Sequence, residues 1–446
     1  MRMAVLGTGY LGATHAACMA RLGHDVLGVD VDEAKLEKLR SGEMPFYEPG
    51  LEELTREMVA SGKLQFTSSY AEAAEFAEVF FLAVGTPQKR GEFAADVSAI
   101  DAVVRTLAPL IDHPAVILGK STVPVGTAEA VRSLARSLSP AGTDLELGWN
   151  PEFLREGHAI KDTLTPDRLV LGVAHDGLGR VEAVAREVYA EPLEQGVPFL
   201  ITDLATAELT KTAANAFLAT KISFINAMAE LCDAAGADVV QLADAIGYDK
   251  RIGRAFLNAG LGFGGGCLPK DIRAFMARAG ELGAAPALTF LREVDSINMR
   301  RRTKMVEMVK DGCEGGLLGA RVAVLGAAFK PDSDDVRDSP ALNVAGQLQL
   351  QGATVNVYDP KAMDNSRVLY PTLGYPPSVR DACANADVVV VLTEWQEFRD
   401  LDPHELADVV RHRKVIDGRN CLDPARWTDA GWDYRGFGRA GAHAKG

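Results

Sequence analysis

Met3-Ala4-Val5-Leu6-Gly7-Thr8-Gly9-Tyr10-Leu11-Gly12 runs a short apolar stretch straight into the pattern Gly-x-Gly-x-x-Gly. Residues 3–7 read as a buried strand, residues 10–22 as a helix and residues 25–30 as the next strand, which makes one βαβ unit. The first glycine permits a tight turn and the second lets a pyrophosphate approach the backbone. The third lets the helix pack closely on the strand. Asp30 closes the second strand, where a carboxylate can accept hydrogen bonds from ribose hydroxyls. Asp30 and Asp32 would repel a 2′-phosphate, so NAD is the expected cofactor rather than NADP. A glycine turn that holds no ligand is the plainer alternative.

Working outward, residues 79–84 and 115–119 read as buried parallel strands. They end in Val84-Gly85-Thr86-Pro87 and Lys120-Ser121-Thr122-Val123-Pro124. Carboxyl ends of strands line the ligand crevice of doubly wound sheets, so these hydroxyls are placed to meet a cofactor or a bound water, or else to cap their own turns. Residues 203–235 are rich in Ala, Leu and Lys with few breakers, as one long helix requires, and shorter helical stretches continue to about residue 300. Arg321-Val322-Ala323-Val324-Leu325-Gly326 then repeats the opening theme, a strand over residues 353–358 ends at Asp359, and residues 386–392 and 414–417 add strands. Gly7 to Asp30 spans 23 positions and Gly326 to Asp359 spans 33, so the second copy carries about ten extra residues, Lys330 to Asp338 among them.

The expected fold class is α/β: two Rossmann-like doubly wound domains joined by a central helical block. The expected division is residues 1–200 for NAD, 201–315 for the helical block and 316–446 for the second Rossmann-like domain. Residues 438–446 read as a short polar tail without fixed structure.

Bulk properties narrow the function classes. The chain has 446 residues and a formal net charge of −14, with no basic tract, which argues against a nucleic-acid surface. Six cysteines are scattered without a CxxC, and eight histidines form no HxxxH or HExxH pair. That pattern argues against a disulfide framework and a metal site and suits a reducing cytoplasm. Apolar runs have strand length, so no membrane span is expected, and the chain enters its first strand too soon for a signal peptide.

Gly264-Gly265-Gly266-Cys267-Leu268-Pro269-Lys270-Asp271 carries the candidate chemistry. Three glycines without Cβ atoms let a ligand approach the Cys267 sulfur, and Lys270 and Asp271 follow to tune a thiolate or handle a proton. Alone, the stretch reads equally as a loop with an inert thiol. Beside a hydride acceptor, a thiolate suggests aldehyde oxidation through a thiohemiacetal and a thioester. Lys211 and Asn215, at i and i+4 of the long helix, share a face and are both donors, as an oxyanion needs. Glu152, after Asn150-Pro151, could act as a base. Each of these three also reads as an ordinary surface or helix-start residue.

Taken in order, the motifs resemble the UDP-glucose/GDP-mannose dehydrogenase family of nucleotide-sugar 6-dehydrogenases. They are residues 7–12, Ser121-Thr122-Val123-Pro124, Asn150-Pro151-Glu152-Phe153-Leu154, Lys211-Thr212-Ala213-Ala214-Asn215-Ala216-Phe217, residues 262–271, Ala328-Phe329-Lys330, Asp338-Ser339-Pro340 and Asp417-Gly418-Arg419. The resemblance runs from Gly7 to about Asp423. It implies a two-step, NAD-dependent oxidation of the 6-hydroxymethyl of a nucleotide-hexose to a uronic acid. Cys267 would be the nucleophile, Lys211 with Asn215 the oxyanion donors, and Asp271 the aid to thiolate or water. Thr122 and Glu152 would hold the water used in proton transfer. Implied NAD contacts are Gly7, Gly9, Tyr10, Leu11, Gly12, Asp30, Lys35, Thr86, Thr122, Glu156, Lys270 and Arg337. Implied sugar-nucleotide contacts are Glu152, Phe153, Leu154, Lys211, Asn215, Phe256, Leu257, Phe263, Gly264, Phe329, Lys330 and Arg419. Arg251 resembles an arginine lent across a homodimer made by the long helix.

Two departures stand out. Relatives commonly have serine where this chain has Gly266, and often a hydroxyl residue where it has Gly260. Residues 246–260 resemble the glucose branch more than the GDP-mannose branch, so UDP-glucose, giving UDP-glucuronate, is the expected substrate. dTDP-glucose differs by one methyl and comes next, before GDP-mannose and UDP-N-acetylhexosamines. A sensor that binds NAD and nucleotide sugar without turnover is the competing class; the joint presence of Cys267, Lys211, Asn215, Glu152 and Asp271 speaks against it.

Overall fold

The computed structural model describes residues 1–174, 178–313 and 316–439. The chain divides into two compact units. The first comprises residues 1–214 with 273–283, and the second residues 215–272 with 284–446.

In the first unit, eight strands form one sheet in the order β3-β2-β1-β4-β5-β6-β7-β8. They are β1 Arg2–Leu6, β2 Asp25–Val29, β3 Leu64–Thr67, β4 Val79–Leu82, β5 Ala115–Gly119, β6 Leu145–Trp149, β7 Leu169–Val173 and β8 Phe199–Asp203. The central strands are covered on both faces. Met3, Val5, Phe81 and Leu118 pack into one core, and Ala4, Leu6, Phe80 and Ile117 into the other. This is why these strands read as continuous apolar runs. From β1 the chain builds outward through β2 and β3, then returns to add β4 on the other side. The strand order therefore reverses beside β1, where a doubly wound sheet opens its ligand crevice. β7 pairs antiparallel with β6, so the last two strands run opposite to the rest.

In the second unit, β9 Arg321–Leu325, β10 Thr354–Tyr358, β11 Val388–Val391, β12 Lys414–Asp417 and β13 Asp433–Gly436 form a parallel sheet in the order β10-β9-β11-β12-β13. The repeat seen in sequence is structural. Gly7 and Gly326 both adopt positive φ, +92° and +106°. A Cβ on Gly7 would stand 2.8 Å from the Val84 side chain, and one on Gly326 would stand 2.5 Å from Thr393. Each turn thus presses against the strand that follows the reversal. Asp30 accepts from Thr8 N at 2.8 Å, and Asp359 accepts from Ala327 N at 2.7 Å. The buried Asp359 also takes Trp395 Nε1 at 3.1 Å. The second acid is thereby absorbed into its own core.

The region between the sheets is helical. Its long helix, Leu204–Ala235, has 32 residues and is about 48 Å long. The boundary between units falls inside it, after Ala214. The helices Leu268–Glu281 and Phe290–Gly312 follow. No described helix is long and apolar enough to cross a membrane. Of the tail, residues 440–446 lie outside the described residues. The expectation of no fixed structure fails for its first two: Gly438 O accepts from Val239 N at 2.9 Å, and Arg439 pairs with Asp238 at 2.9 Å. A buried backbone bond and an ion pair outweigh the ordering entropy there.

Candidate active site

The glycine turn after β1 has the geometry of a phosphate cradle. A Cβ at Gly12 would overlap the Gly7 carbonyl oxygen, whereas around Gly9 there is nothing within 4 Å. The helix Tyr10–Arg21 starts at Gly9 with no side-chain cap, so its first amides and its dipole face outward. Leu11 lies half-buried in that first turn. Asp30 Oδ2 accepts from Thr8 N, Thr8 Oγ1 and Lys35 Nζ, each at 2.8 Å. Burial raises the Asp30 pKa, but the hydrogen bonds from Lys35 and Thr8 outweigh it and hold it below the ordinary value. Asp30 is therefore an anion, as acceptance from ribose hydroxyls requires. An open second glycine, an uncapped helix start and a terminal acid together fit NAD. The Tyr10 side chain takes another course. Its hydroxyl bonds the buried Glu48, which also accepts from Gly157 N at 2.6 Å and Ala159 N at 2.7 Å. Tyr10 and Glu48 thus anchor the turn that carries Glu156.

At the ends of β4 and β5, hydroxyls staple one loop to the other. Thr86 Oγ1 donates to Thr122 O at 2.7 Å, and Ser121 Oγ to Val84 O at 2.7 Å. Thr122 itself remains half-exposed. Glu208 of the long helix reaches across to this loop, accepting from Gly126 N at 2.7 Å and Ala128 N at 2.6 Å. Burial raises its pKa to about 7 against the pull of those amides.

Beyond β6, Glu152, Phe153 and Leu154 meet Lys211. Lys211 Nζ pairs with Glu152 Oε1 at 3.1 Å and lies 5.6 Å over the Phe153 ring, while Glu152 Oε2 accepts from Leu154 N at 2.7 Å. Both side chains are nearly buried, 7% and 12% exposed. In this setting a lone charge costs several kcal/mol, and the pairing offsets that cost for both groups. Behind them Lys120 is fully buried and donates to Asn150 Oδ1 at 3.1 Å, to which Tyr189 also donates at 2.6 Å. Burial pulls the Lys120 pKa down to about 8; Glu152 raises it and Lys211 lowers it further.

In the second unit, Cys267 stands immediately before the helix Leu268–Glu281 and is exposed, whereas four of the other five cysteines are buried and Cys421 is half-buried. Burial pushes those other thiols up, Cys18 and Cys383 to about 12. A helix N-terminus favours the thiolate instead. One turn on, the buried Asp271 accepts from Asn215 Nδ2 at 2.6 Å and from Lys270 Nζ at 2.6 Å. Asn215, Lys270 and Asp271 are thus brought together. Asn215 gives one of its two amide N–H groups to Asp271, one turn along the helix from Lys211.

The residues expected to meet the sugar nucleotide have mixed settings. Phe263 is buried and bracketed by Asn298, which accepts from its N at 2.8 Å and donates to its O at 2.9 Å. Leu257 belongs to the core formed with Ile225 and Val239. Phe256 is held at φ +64°, a strained conformation for an aromatic residue and of the kind that clusters at ligand sites. Arg419 donates to Leu392 O, Gly262 O and Phe329 O at 2.7, 2.8 and 3.2 Å, so it struts the Gly262 and Phe329 backbones. Lys330 Nζ lies 5.3 Å over the Phe329 ring. Arg251 is apart from this group, 89% exposed and paired with Asp249 at 2.6 Å. At Gly260 a Cβ would stand 2.8 Å from Gly418 O, so a hydroxyl residue has no room without a backbone shift.

Glu48, Glu208, Lys120 and Asn298 escaped sequence reasoning. Each acts through backbone amides or a partner far along the chain, and none sits in a pattern that marks it. Among the described residues no group of three or more His, Cys, Asp or Glu could hold a metal ion.

Three successive stretches match the domains of one family. Residues 1–193 match the NAD binding domain of the UDP-glucose/GDP-mannose dehydrogenase family, residues 205–300 its central domain and residues 323–424 its UDP binding domain. The UDP-glucose 6-dehydrogenase of Rhizobium meliloti (strain 1021) is 42% identical over 98% of this chain and 100% of its own length. A solved UDP-glucose dehydrogenase from the hyperthermophilic archaeon Pyrobaculum islandicum superposes with a TM-score of 0.89 at 36% identity, covering 98% of each chain. A solved UDP-D-ManNAc dehydrogenase from Pyrococcus horikoshii gives 0.85 at 28% identity, covering 99% of this chain and 100% of its own.

Proposed function

The chain belongs to the UDP-glucose/GDP-mannose dehydrogenase family and is an NAD-dependent oxidoreductase; from that premise we propose that it oxidises the C6 hydroxymethyl of UDP-glucose to the carboxylate through a covalent thioester on Cys267. The alcohol, one water and two NAD+ give the carboxylate, two NADH and three protons. Bound nicotinamide accepts the hydride in each oxidation.

The protein supplies the rest. Glu152, paired with Lys211, is the acceptor for the proton released from the C6 hydroxyl, through a water held with Thr122. The Cys267 thiolate then adds to the aldehyde carbon, and Lys211 with Asn215 stabilises the oxygen that gains charge. Loss of hydride leaves the thioester. Water, positioned by Asp271, attacks it, and the thiolate leaves as the carboxylate forms. The observation that carries this reading is the exposed Cys267 at a helix start, with Asp271 fixed one turn away by Asn215 and Lys270. Absorbance of NADH should give about two equivalents per UDP-glucose consumed. One equivalent, with aldehyde accumulating, would reduce the protein to an alcohol dehydrogenase. The same assay with dTDP-glucose, GDP-mannose and UDP-N-acetylglucosamine ranks the substrates.

We also infer a homodimer through the long helix. Phe217, Phe224 and Leu231 recur every seven residues on it and are 67%, 48% and 59% exposed. Seven residues is nearly two turns, so the three share a stripe, and an apolar stripe of this kind needs a cover. A second copy would cover it isologously and bring the exposed Arg251 within reach of a partner. Sedimentation should show twice the chain mass, and Phe224→Glu should shift it to the monomer; a monomeric parent protein would refute the dimer.

A further inference from the structure

We infer that Arg337 is a positioning residue for Cys267: residues 329–340, the extra segment of the second Rossmann repeat, form a clamp seated on Gly264-Gly265-Gly266, and the Arg337 guanidinium occupies the place of a side chain at residue 266. Each of the three glycines receives a different part of that segment. A Cβ at Gly264 would overlap Asp338 O; one at Gly265 would lie 2.7 Å from the Phe329 ring; one at Gly266 would lie 2.5 Å from Arg337 Cζ. The two strips are also bonded, Gly265 N donating to Arg337 O at 2.9 Å. The clamp is internally braced. Asp335 accepts from Arg337 N at 2.8 Å, Nε at 2.9 Å and Nη2 at 2.6 Å, and Phe329 N donates to Asp335 O at 3.1 Å. Asp338, held at φ +44°, pairs with the buried Arg302 at 2.9 Å.

The triple glycine therefore has a tertiary reason besides substrate access. It lets a guanidinium held by Asp335 lie against the peptide one residue before the thiol. A nearby positive charge favours thiolate over thiol, and together with the helix start it primes Cys267 before substrate arrives. The inference rests on Cys267 being the nucleophile, but its test does not need turnover. Iodoacetamide alkylation of Cys267 in the full-length protein, read by peptide mass spectrometry from pH 5 to 10, reports the apparent thiol pKa. Arg337→Gln should raise that midpoint by about half to one unit and slow alkylation at pH 7 by roughly 3- to 10-fold. Gly266→Ser should shift it the same way by less, because its Cβ displaces only the far end of a flexible side chain. Arg337→Lys should recover part of the shift. Superimposable profiles for the parent, Arg337→Gln and Gly266→Ser proteins would overturn the inference. If Arg337→Gln fails to fold, Gly266→Ser decides it. Failure of the nucleophile reading would show separately, as oxidation of UDP-glucose that survives alkylation.

Discussion

Cys267→Ala should lower NADH production from UDP-glucose by at least about 10³-fold while leaving the melting temperature unchanged. The two halves of that expectation come from different observations. The thiol is exposed, so removing it leaves no cavity and strands no buried group. It is also the group that holds the aldehyde carbon in the proposed pathway, and a thioester requires its sulfur. Without it the first oxidation runs to an aldehyde that is not trapped, and the reverse reaction consumes the NADH formed. Turnover within tenfold of the parent protein would end the covalent mechanism. Buried cysteines supply the contrast: truncating Cys383, fully inside the core of the second unit, should cost stability rather than chemistry.

Lys211→Met carries the second large effect, and it has two parts that a paired variant separates. Removing the ammonium leaves the Glu152 carboxylate nearly buried against the Leu154 amide. Breaking a buried ion pair from one side costs about 3–5 kcal/mol. Loss of an oxyanion donor adds a fall of roughly 10²- to 10³-fold in kcat. In Lys211→Met with Glu152→Gln, neither charge is stranded, so stability should return toward that of the parent protein while kcat stays low. A single variant that loses stability but keeps kcat within threefold would make Lys211 structural and move the oxyanion role elsewhere. Lys120 reports on the same change. Lys211 holds its pKa down, so without Lys211 that pKa should rise and Lys120 should stay charged to higher pH.

Much of this was open to reading along the chain. The residues that could be read are those whose role is set by their own neighbours in sequence. Gly7, Gly9 and Gly12 form one turn; Lys211 and Asn215 are one helical turn apart; Cys267 precedes a helix that carries Asp271. The strands read most easily, β4, β5 and β11, are apolar throughout because helices cover both faces. β3, β6, β7, β8 and β13 are absent from the sequence reading. β8 is an edge strand with no buried residue, and the antiparallel direction of β7 follows from the loop after β6, which no local pattern encodes.

What sequence alone determined is the local chemistry: the glycine turn and its terminal acid, the repeat of that turn after residue 320, the thiol, and the order of motifs that marks the family. Tertiary structure decided what each charge touches. It paired Lys211 with Glu152, turned Tyr10 toward Glu48, tied Asn215 to Asp271, spent Arg419 on backbone carbonyls and laid Arg337 on Gly266. The physical reason is range. Backbone turns and helical spacing are fixed by neighbours a few residues away, whereas the ionisation and direction of a buried side chain depend on burial and on partners as far as 157 residues away.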